Sequence, residues 1–525
     1  MSRYPCCGRP RLRPEVRALA RPSGRRTQAP VLNYHARLDL RQLRTARSAR
    51  LRKDTTMHQS RSLPRAVRAS SPLFLAVAIA VLVLLARLLY VQRFSTPMPY
   101  WDQWDGEWAT ALKPWLDGTL HWQTLLAPHN EHRILPTRLL TLMSYAVTGQ
   151  WNNVYEARIG ALLFCLIPGL LVWHALRDAG ARAGRWLLLP LALLLSVLPF
   201  TWENFLVGFQ TQFYVLVLSS IASIALVARH HQRIPALLAA IALSAFATTI
   251  MASGMLTAVA TAGACLLACL CLPGRRGPAL YAAGILMVLA VAAYAWIPVI
   301  EANGGLRAQG VGEFLYAASR TLAWPMRSGG FALIIWLPAT VMILRMVIRR
   351  QASPTDLVMA GLCIWSALQA LAIAYGRGHG LRSPMPRYMD LFVPGLFANA
   401  WFAIQLWGLL PVASRLRTAS RTVAALFALL VAYPLLGRIG KDVETMREFK
   451  SATLVQQENV QRYLATGEPS MLQVGEFELP YPDPVRLKVY LDDPALRRVL
   501  PPLQQSDPAA AQGAGSRKGP AEAGP

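Results

Sequence analysis

The stretch Pro72-Leu73-Phe74-Leu75-Ala76-Val77-Ala78-Ile79-Ala80-Val81-Leu82-Val83-Leu84-Leu85-Ala86-Arg87-Leu88-Leu89-Tyr90-Val91 holds a single charge, Arg87. As a helix rising about 1.5 Å per residue it reaches about 30 Å, the depth of a bilayer's hydrocarbon core. In that core each backbone N–H and C=O needs an internal partner, which a helix supplies within its own segment. Apolar blocks recur at 157–176, 185–200, 209–228, 234–251, 254–272, 279–299, 329–347, 356–375, 388–410 and 422–438, so the predicted fold is all-α: a polytopic transmembrane helix bundle of about 11 spans. The first block is too long for a cleaved signal peptide, and no small-residue cleavage site follows it.

Composition agrees: 54% of the 525 residues are hydrophobic and 15% are charged, against about a quarter charged in an ordinary soluble chain. A net charge of +27 suits a nucleic-acid binder, but its distribution argues against one: residues 1–56 hold fifteen Lys and Arg against Glu15, Asp39 and Asp54. Most of the remaining positive charge sits in short loops between apolar blocks, so no nucleic-acid partner is expected. Residues 1–56, rich in Arg, Pro, Ala and Ser, read as a disordered basic tail or a mis-assigned start. Met57 opens a more ordinary beginning, a short stretch with Arg61, Arg65 and Arg68 and then the apolar helix; an organelle transit peptide is the weaker alternative. Cys165, Cys265, Cys269, Cys271 and Cys363 all fall inside apolar blocks without flanking His or acids, which favours small core residues over a disulfide framework or metal cluster.

Orientation follows from the basic loops. Arg177, Arg182 and Arg185; Arg229 and Arg233; Arg275 and Arg276; Arg345, Arg349 and Arg350; and Arg415, Arg417 and Arg421 all fall on the cytoplasmic side of one alternating path. The expectation is a multi-pass protein of a bacterial inner (plasma) membrane, with the N-terminus cytoplasmic and the tail 439–525 periplasmic. Segment 134–148 cannot span without reversing every later loop, and reads as an interfacial helix. The transmembrane domain is then 57–438, with a large first periplasmic loop at 92–156, short outside loops at 201–208 and 376–387, and a longer one at 300–328. The tail reads as partly helical to about 465 and disordered at its Pro-, Ala- and Gly-rich end.

The outside segments carry the polar groups that chemistry needs. Tyr100-Trp101-Asp102-Gln103-Trp104-Asp105-Gly106-Glu107 sets three carboxylates among indoles just past the first span. On a helix Asp102 and Asp105 share a face, where they suit a divalent cation or a base role; the plain alternative is an aromatic belt with solvated acids. Pro128-His129-Asn130-Glu131-His132-Arg133, then Arg138, follows. On a helix His129 and His132 meet beside Glu131, but a hydrogen-bonded loop anchor or a substrate-binding His/Arg cluster is favoured over a metal site. At the top of adjoining spans Glu203 reads as a solvated group, while Gln210 and Gln212, inside the start of a span, face the bundle or a cavity; a sugar or headgroup contact is the alternative. Tyr375-Gly376-Arg377-Gly378-His379-Gly380-Leu381-Arg382-Ser383-Pro384-Met385-Pro386-Arg387-Tyr388 is the most cationic outside loop and runs against the charge rule. Arginine's planar fork suits phosphate, so Arg377, Arg382, Arg387 and Tyr388 read as a lipid-phosphate site, against general attraction to anionic headgroups. Arg320 and Arg327 either add to that site or are solvated.

The layout of 72–438 resembles the GT-C superfamily of membrane glycosyltransferases, which includes protein O-mannosyltransferases and aminoarabinose transferases. The Trp101–Glu107 and His129–Arg133 strings are similar to those of a bacterial branch of that group. The resemblance implies a polyprenyl-phosphate sugar donor, Asp102 or Asp105 as catalytic carboxylate with Glu107 nearby, and Arg382 or Arg387 as phosphate ligand. The implied partners are membrane lipid and a polyprenyl-phosphate sugar, with a divalent cation as the one cofactor to consider. Two other classes compete: a transporter or flippase of lipid-linked sugars, which would place charges near the bilayer midplane, and a non-catalytic membrane assembly subunit. Arg87, late in the first span, is one of few mid-span charges, which favours chemistry at the surface.

Overall fold

Long apolar runs with helix-compatible punctuation become helices throughout. The computed structural model describes residues 65–178, 185–409 and 415–502; the basic tail 1–56 and the start at Met57 lie outside the described residues. Taking α-helices of six residues or more, the order is α1 (Arg65–Phe94), α2 (Leu135–Thr148), α3 (Asn153–Arg177), α4 (Leu188–Val197), α5 (Thr211–His230), α6 (Ile234–Thr248), α7 (Met255–Cys271) and α8 (Gly277–Ala295). Then come α9 (Val311–Leu322), α10 (Phe331–Arg349), α11 (Pro354–Gly376), α12 (Val393–Leu409), α13 (Arg415–Gly437), α14 (Ile439–Thr466), α15 (Pro484–Asp492) and α16 (Pro494–Val499). No strand occurs among the described residues. The protein is an all-α polytopic membrane bundle. Nine helical segments among the described residues are long and apolar enough to cross a membrane, and the blocks expected at 234–251 and 388–410 form the shorter apolar helices Ile234–Thr248 and Val393–Leu406.

Burial separates a central set from a peripheral one. α5 packs against α3, α6, α7 and α11, while α1, α8 and α10 leave most of their surface uncovered. Apolar association has little driving force in lipid, so close backbone approach and interhelical hydrogen bonds hold such bundles. Ser220 and Thr257 hydroxyls lie 2.7 Å apart, and Ser223 bonds Ser244 and Thr261, both at 3.0 Å. The five cysteines among the described residues are free and buried, as core residues.

α2 is amphipathic in an inverted sense. Leu139, Met143 and Val147 are exposed along one face, while Thr137, Arg138, Thr141 and Ser144 are buried on the other. An apolar face turned outward at this position suits a helix lying in the membrane interface. Segment 134–148 accordingly does not count among the spans.

The tail is helical to Thr466, as expected to about 465, and α15 and α16 follow after it; its Pro-, Ala- and Gly-rich end lies outside the described residues. Val460, Tyr463, Leu479, Leu487, Leu491 and Leu496 join Trp104, Trp108 and Trp151 of the first loop in one buried apolar cluster. Tail and first loop therefore form one cap. Loops 201–208, 300–328 and 376–387 reach the same end of the bundle through Arg387–Glu203 at 2.9 Å, His379–Glu313 at 3.1 Å and Arg377–Glu131 at 3.2 Å.

Candidate functional site

The three acids of the first loop go to three environments. Trp101 has a positive φ of 46°, and Trp104–Leu112 is π-helical, with a wider turn than an α-helix. The three-residue spacing therefore does not align Asp102 with Asp105. Asp102 Oδ1 meets His129 Nε2 at 3.4 Å, and half of its side chain (51%) is open to solvent. Partial burial opposes its charge, but the His129 hydrogen bond and charge, with Arg387 beyond, hold the carboxyl below its ordinary value. It is an ionised, reachable carboxylate.

Asp105 instead ties the cap. Its two oxygens accept from the Tyr481 and Tyr490 hydroxyls, each at 2.9 Å, and Arg486 Nη2 lies 2.9 Å from Oδ1. Asp105→Ala strands both phenols. We expect a loss of about 1–3 kcal/mol and faster protease cleavage within 467–502, with the half-exposed arginine adding little. Unchanged cleavage of that variant would show that the apolar cluster alone holds the cap.

Glu107 is fully buried. Its Oε2 accepts from Trp151 Nε1 at 2.8 Å and from Gln103 Nε2 at 3.0 Å, and the same amide donates to Glu156 Oε2 at 3.0 Å. The shared Gln103 amide holds the two buried carboxyls side by side. Burial pushes the Glu107 carboxyl up to about 7, with the Trp151 and Gln103 bonds working against the shift. Gly208 is needed beside this pair, since a Cβ there would lie 2.3 Å from Glu156 Cβ. Asn153 braces it, accepting from Gly208 N at 2.7 Å and donating to Ser95 Oγ and the Thr96 and Leu206 carbonyls, each at 3.0 Å.

Residues 129–132 form a tight turn, so the two histidines do not share a helical face; it is closed by His129 N to His132 O at 2.8 Å and His132 N to His129 O at 3.0 Å. His132 Nδ1 accepts from Ala252 N at 3.2 Å, and burial lowers its pKa to about 4; it is a neutral anchor. Arg133 donates to the Leu126 and Trp296 carbonyls at 3.1 and 2.9 Å and stacks over the Trp296 ring. Buried Arg138 donates to the Gly106, Leu125, Ala127 and Arg133 carbonyls at 2.6 to 3.1 Å. Both arginines hold the loop in shape. His129 packs edge-on to Phe209.

The cationic loop meets this surface from the other side. Arg377 makes a forked contact with Glu131, at 3.3 and 3.2 Å. Arg387 binds Glu203 Oε1 at 2.9 Å and lies over the Tyr388 ring at 5.3 Å. Asn204 donates to Arg387 O and to Asp390 Oδ2, each at 2.8 Å. Tyr100 feels the charges of Glu203, Asp102 and Arg387 together, so the acidic loop and the arginine loop converge. Arg382 and Arg327 are exposed and form none of these pairs, and Arg320 donates to Tyr316 OH at 2.7 Å. Gln210 and Gln212 are buried at the head of α5, with Gln212 Oε1 unpartnered. Among the described residues no three His, Cys, Asp or Glu side chains gather as a metal-ligand group. Glu156 and Asp390 carried no sequence motif; an acid at the head of an otherwise apolar span was the one signal for each.

Set beside known proteins, the chain matches no family model, no curated protein and no solved structure.

Proposed function

We propose that this protein is a membrane glycosyltransferase of the GT-C kind, moving a sugar from a polyprenyl-phosphate donor to a periplasmic or lipid acceptor at a bacterial inner membrane. The observation that carries the reading is the half-exposed Asp102 carboxylate, held by His129, on the surface where Arg377 and Arg387 arrive from the cationic loop. Asp102 takes the proton of the acceptor hydroxyl, and the oxygen's electron pair forms the new bond to the anomeric carbon. The bond from that carbon to the phosphate oxygen breaks, and its pair leaves on the phosphate. Arg387 and Arg377 meet the leaving charge. In the resting protein Glu203 and Glu131 occupy these arginines, so donor phosphate enters by exchange for a carboxylate, which keeps both guanidiniums aimed while the site is empty.

The test is transfer of labelled sugar from a panel of polyprenyl-phosphate sugars by the purified protein in vesicles. Arg387→Gln should weaken donor binding about tenfold or more, as expected for one charge-assisted hydrogen bond. No transfer from any donor in the panel would end the reading. The proposed orientation has its own check: a reporter active only in the periplasm, fused after Pro502, should work, and a cytoplasm-only reporter working there would reverse it.

One observation favours the transporter reading. Arg87 is fully buried within the first span, donating to Ser196 O at 3.0 Å and Thr201 Oγ1 at 3.3 Å between the rings of Phe164 and Phe205. Movement of a labelled lipid-linked sugar between leaflets, without transfer and dependent on Arg87, would select it.

A further inference from the structure

A cavity of about 380 Å³ opens where α1 and α3 leave the apolar layer, and it shares no lining residue with the Asp102 cluster. Val91, Gln92 and Ser95 line it from the end of α1, Val154, Tyr155 and Arg158 from the start of α3, and Lys450 from α14. We propose that it binds the phosphodiester headgroup of an anionic membrane lipid, independently of any glycosyl transfer.

Charge is the first argument. Arg158 and Lys450 line the cavity and no carboxylate does. Three other arginines at this end do sit opposite acids, in Arg377–Glu131, Arg387–Glu203 and Arg486–Asp105. Arg158 is exposed and has only a distant ring contact with Tyr155, at 5.9 Å. Lys450 donates one N–H to Ser95 O at 2.7 Å, which aims the ammonium and leaves its other donors for a ligand. Arg93 lies close enough for its charge to act on Lys450. Such a cluster costs repulsion unless an anion fills it.

Position is the second argument. Below the cavity, α1 exposes Leu85 and Leu89 and α3 exposes Leu162 and Leu166, surfaces suited to acyl chains. A phosphate at the level of Arg158 therefore has tails in contact with these leucines. The side chains of Gln92, Gln150 and Asn152 add neutral polar groups at the cavity wall, suited to the hydroxyls of a glycerol headgroup.

The full chain, reconstituted in discs of phosphatidylglycerol and phosphatidylcholine, is released and its retained lipid counted by native mass spectrometry. Wild type should hold phosphatidylglycerol in preference to phosphatidylcholine. Arg158→Gln, at an exposed position that leaves the fold alone, should weaken retention about tenfold, and the double variant Arg158→Gln, Lys450→Gln further still. Inorganic phosphate that displaces the lipid in an Arg158-dependent way would uphold the phosphate chemistry and move its source to a soluble ester. Equal retention by wild type and Arg158→Gln, or equal retention of the two lipids, would overturn the site.

Discussion

Asp102→Asn is expected to lower sugar transfer by about 100-fold to 10,000-fold, the range that general-base catalysis contributes, with little change in the unfolding temperature. The side chain is half-exposed and its close side-chain partner is His129, so an amide of equal size leaves the packing intact. Donor binding should survive, because the arginines that meet phosphate are positioned by Glu131 and Glu203 rather than by Asp102. Asp105→Asn provides the contrast: that residue serves Tyr481, Tyr490 and Arg486, so its loss should appear in cap stability before turnover. If Asp102→Asn folds and retains full transfer while Asp105→Asn does not, the base has been assigned to the wrong carboxylate. If both retain it, neither carboxylate is the base, and the proposed role of the first loop fails.

The second large effect is a pH dependence of stability centred on Glu107. An unfolded glutamate ionises near 4.5, whereas the buried carboxyl holds its proton up to about 7. Between these values the folded state binds a proton that the unfolded state has lost, so stability falls as pH rises. Glu107's share of the fall amounts to roughly 3 kcal/mol across the window. Glu107→Gln keeps an acceptor for Trp151 and supplies a permanent N–H toward Glu156. It should flatten the slope between about pH 5 and pH 7 and leave the variant the more stable protein at neutral pH. Unfolding followed in detergent across that range decides the matter; an identical slope in the variant would assign the pH dependence to other groups.

The spans were legible because each carries its own evidence: length, hydropathy and the sign of the next loop act locally. Helix 135–148 is too short to count among the candidate spans, as the basic loops led one to expect. What sequence could not show was pairing at a distance. Asp102, Asp105 and Glu107 look like one motif in the chain, and only the positive φ at Trp101 and the π-helical turn after it separate them. Glu107's partner is 49 positions away at Glu156, inside a helix whose other residues are almost all apolar. Arg377 and Arg387 were read as free cations suited to phosphate; the carboxylates that hold them come from two other loops. Tyr481 and Tyr490 gain meaning only against Asp105, hundreds of residues earlier in the chain.

The shared cap sets a schedule for biogenesis. Asp105 and Tyr490 are 385 residues apart, a separation a ribosome takes roughly 20 to 80 s to cover at 5–20 residues per second. During that interval Trp104, Trp108 and Trp151 lack the helices that later bury them, and every span between must insert before the closing segment is made. A nascent chain stalled before Pro484 would thus carry a finished bundle with an unroofed aromatic surface, open to chaperones and proteases.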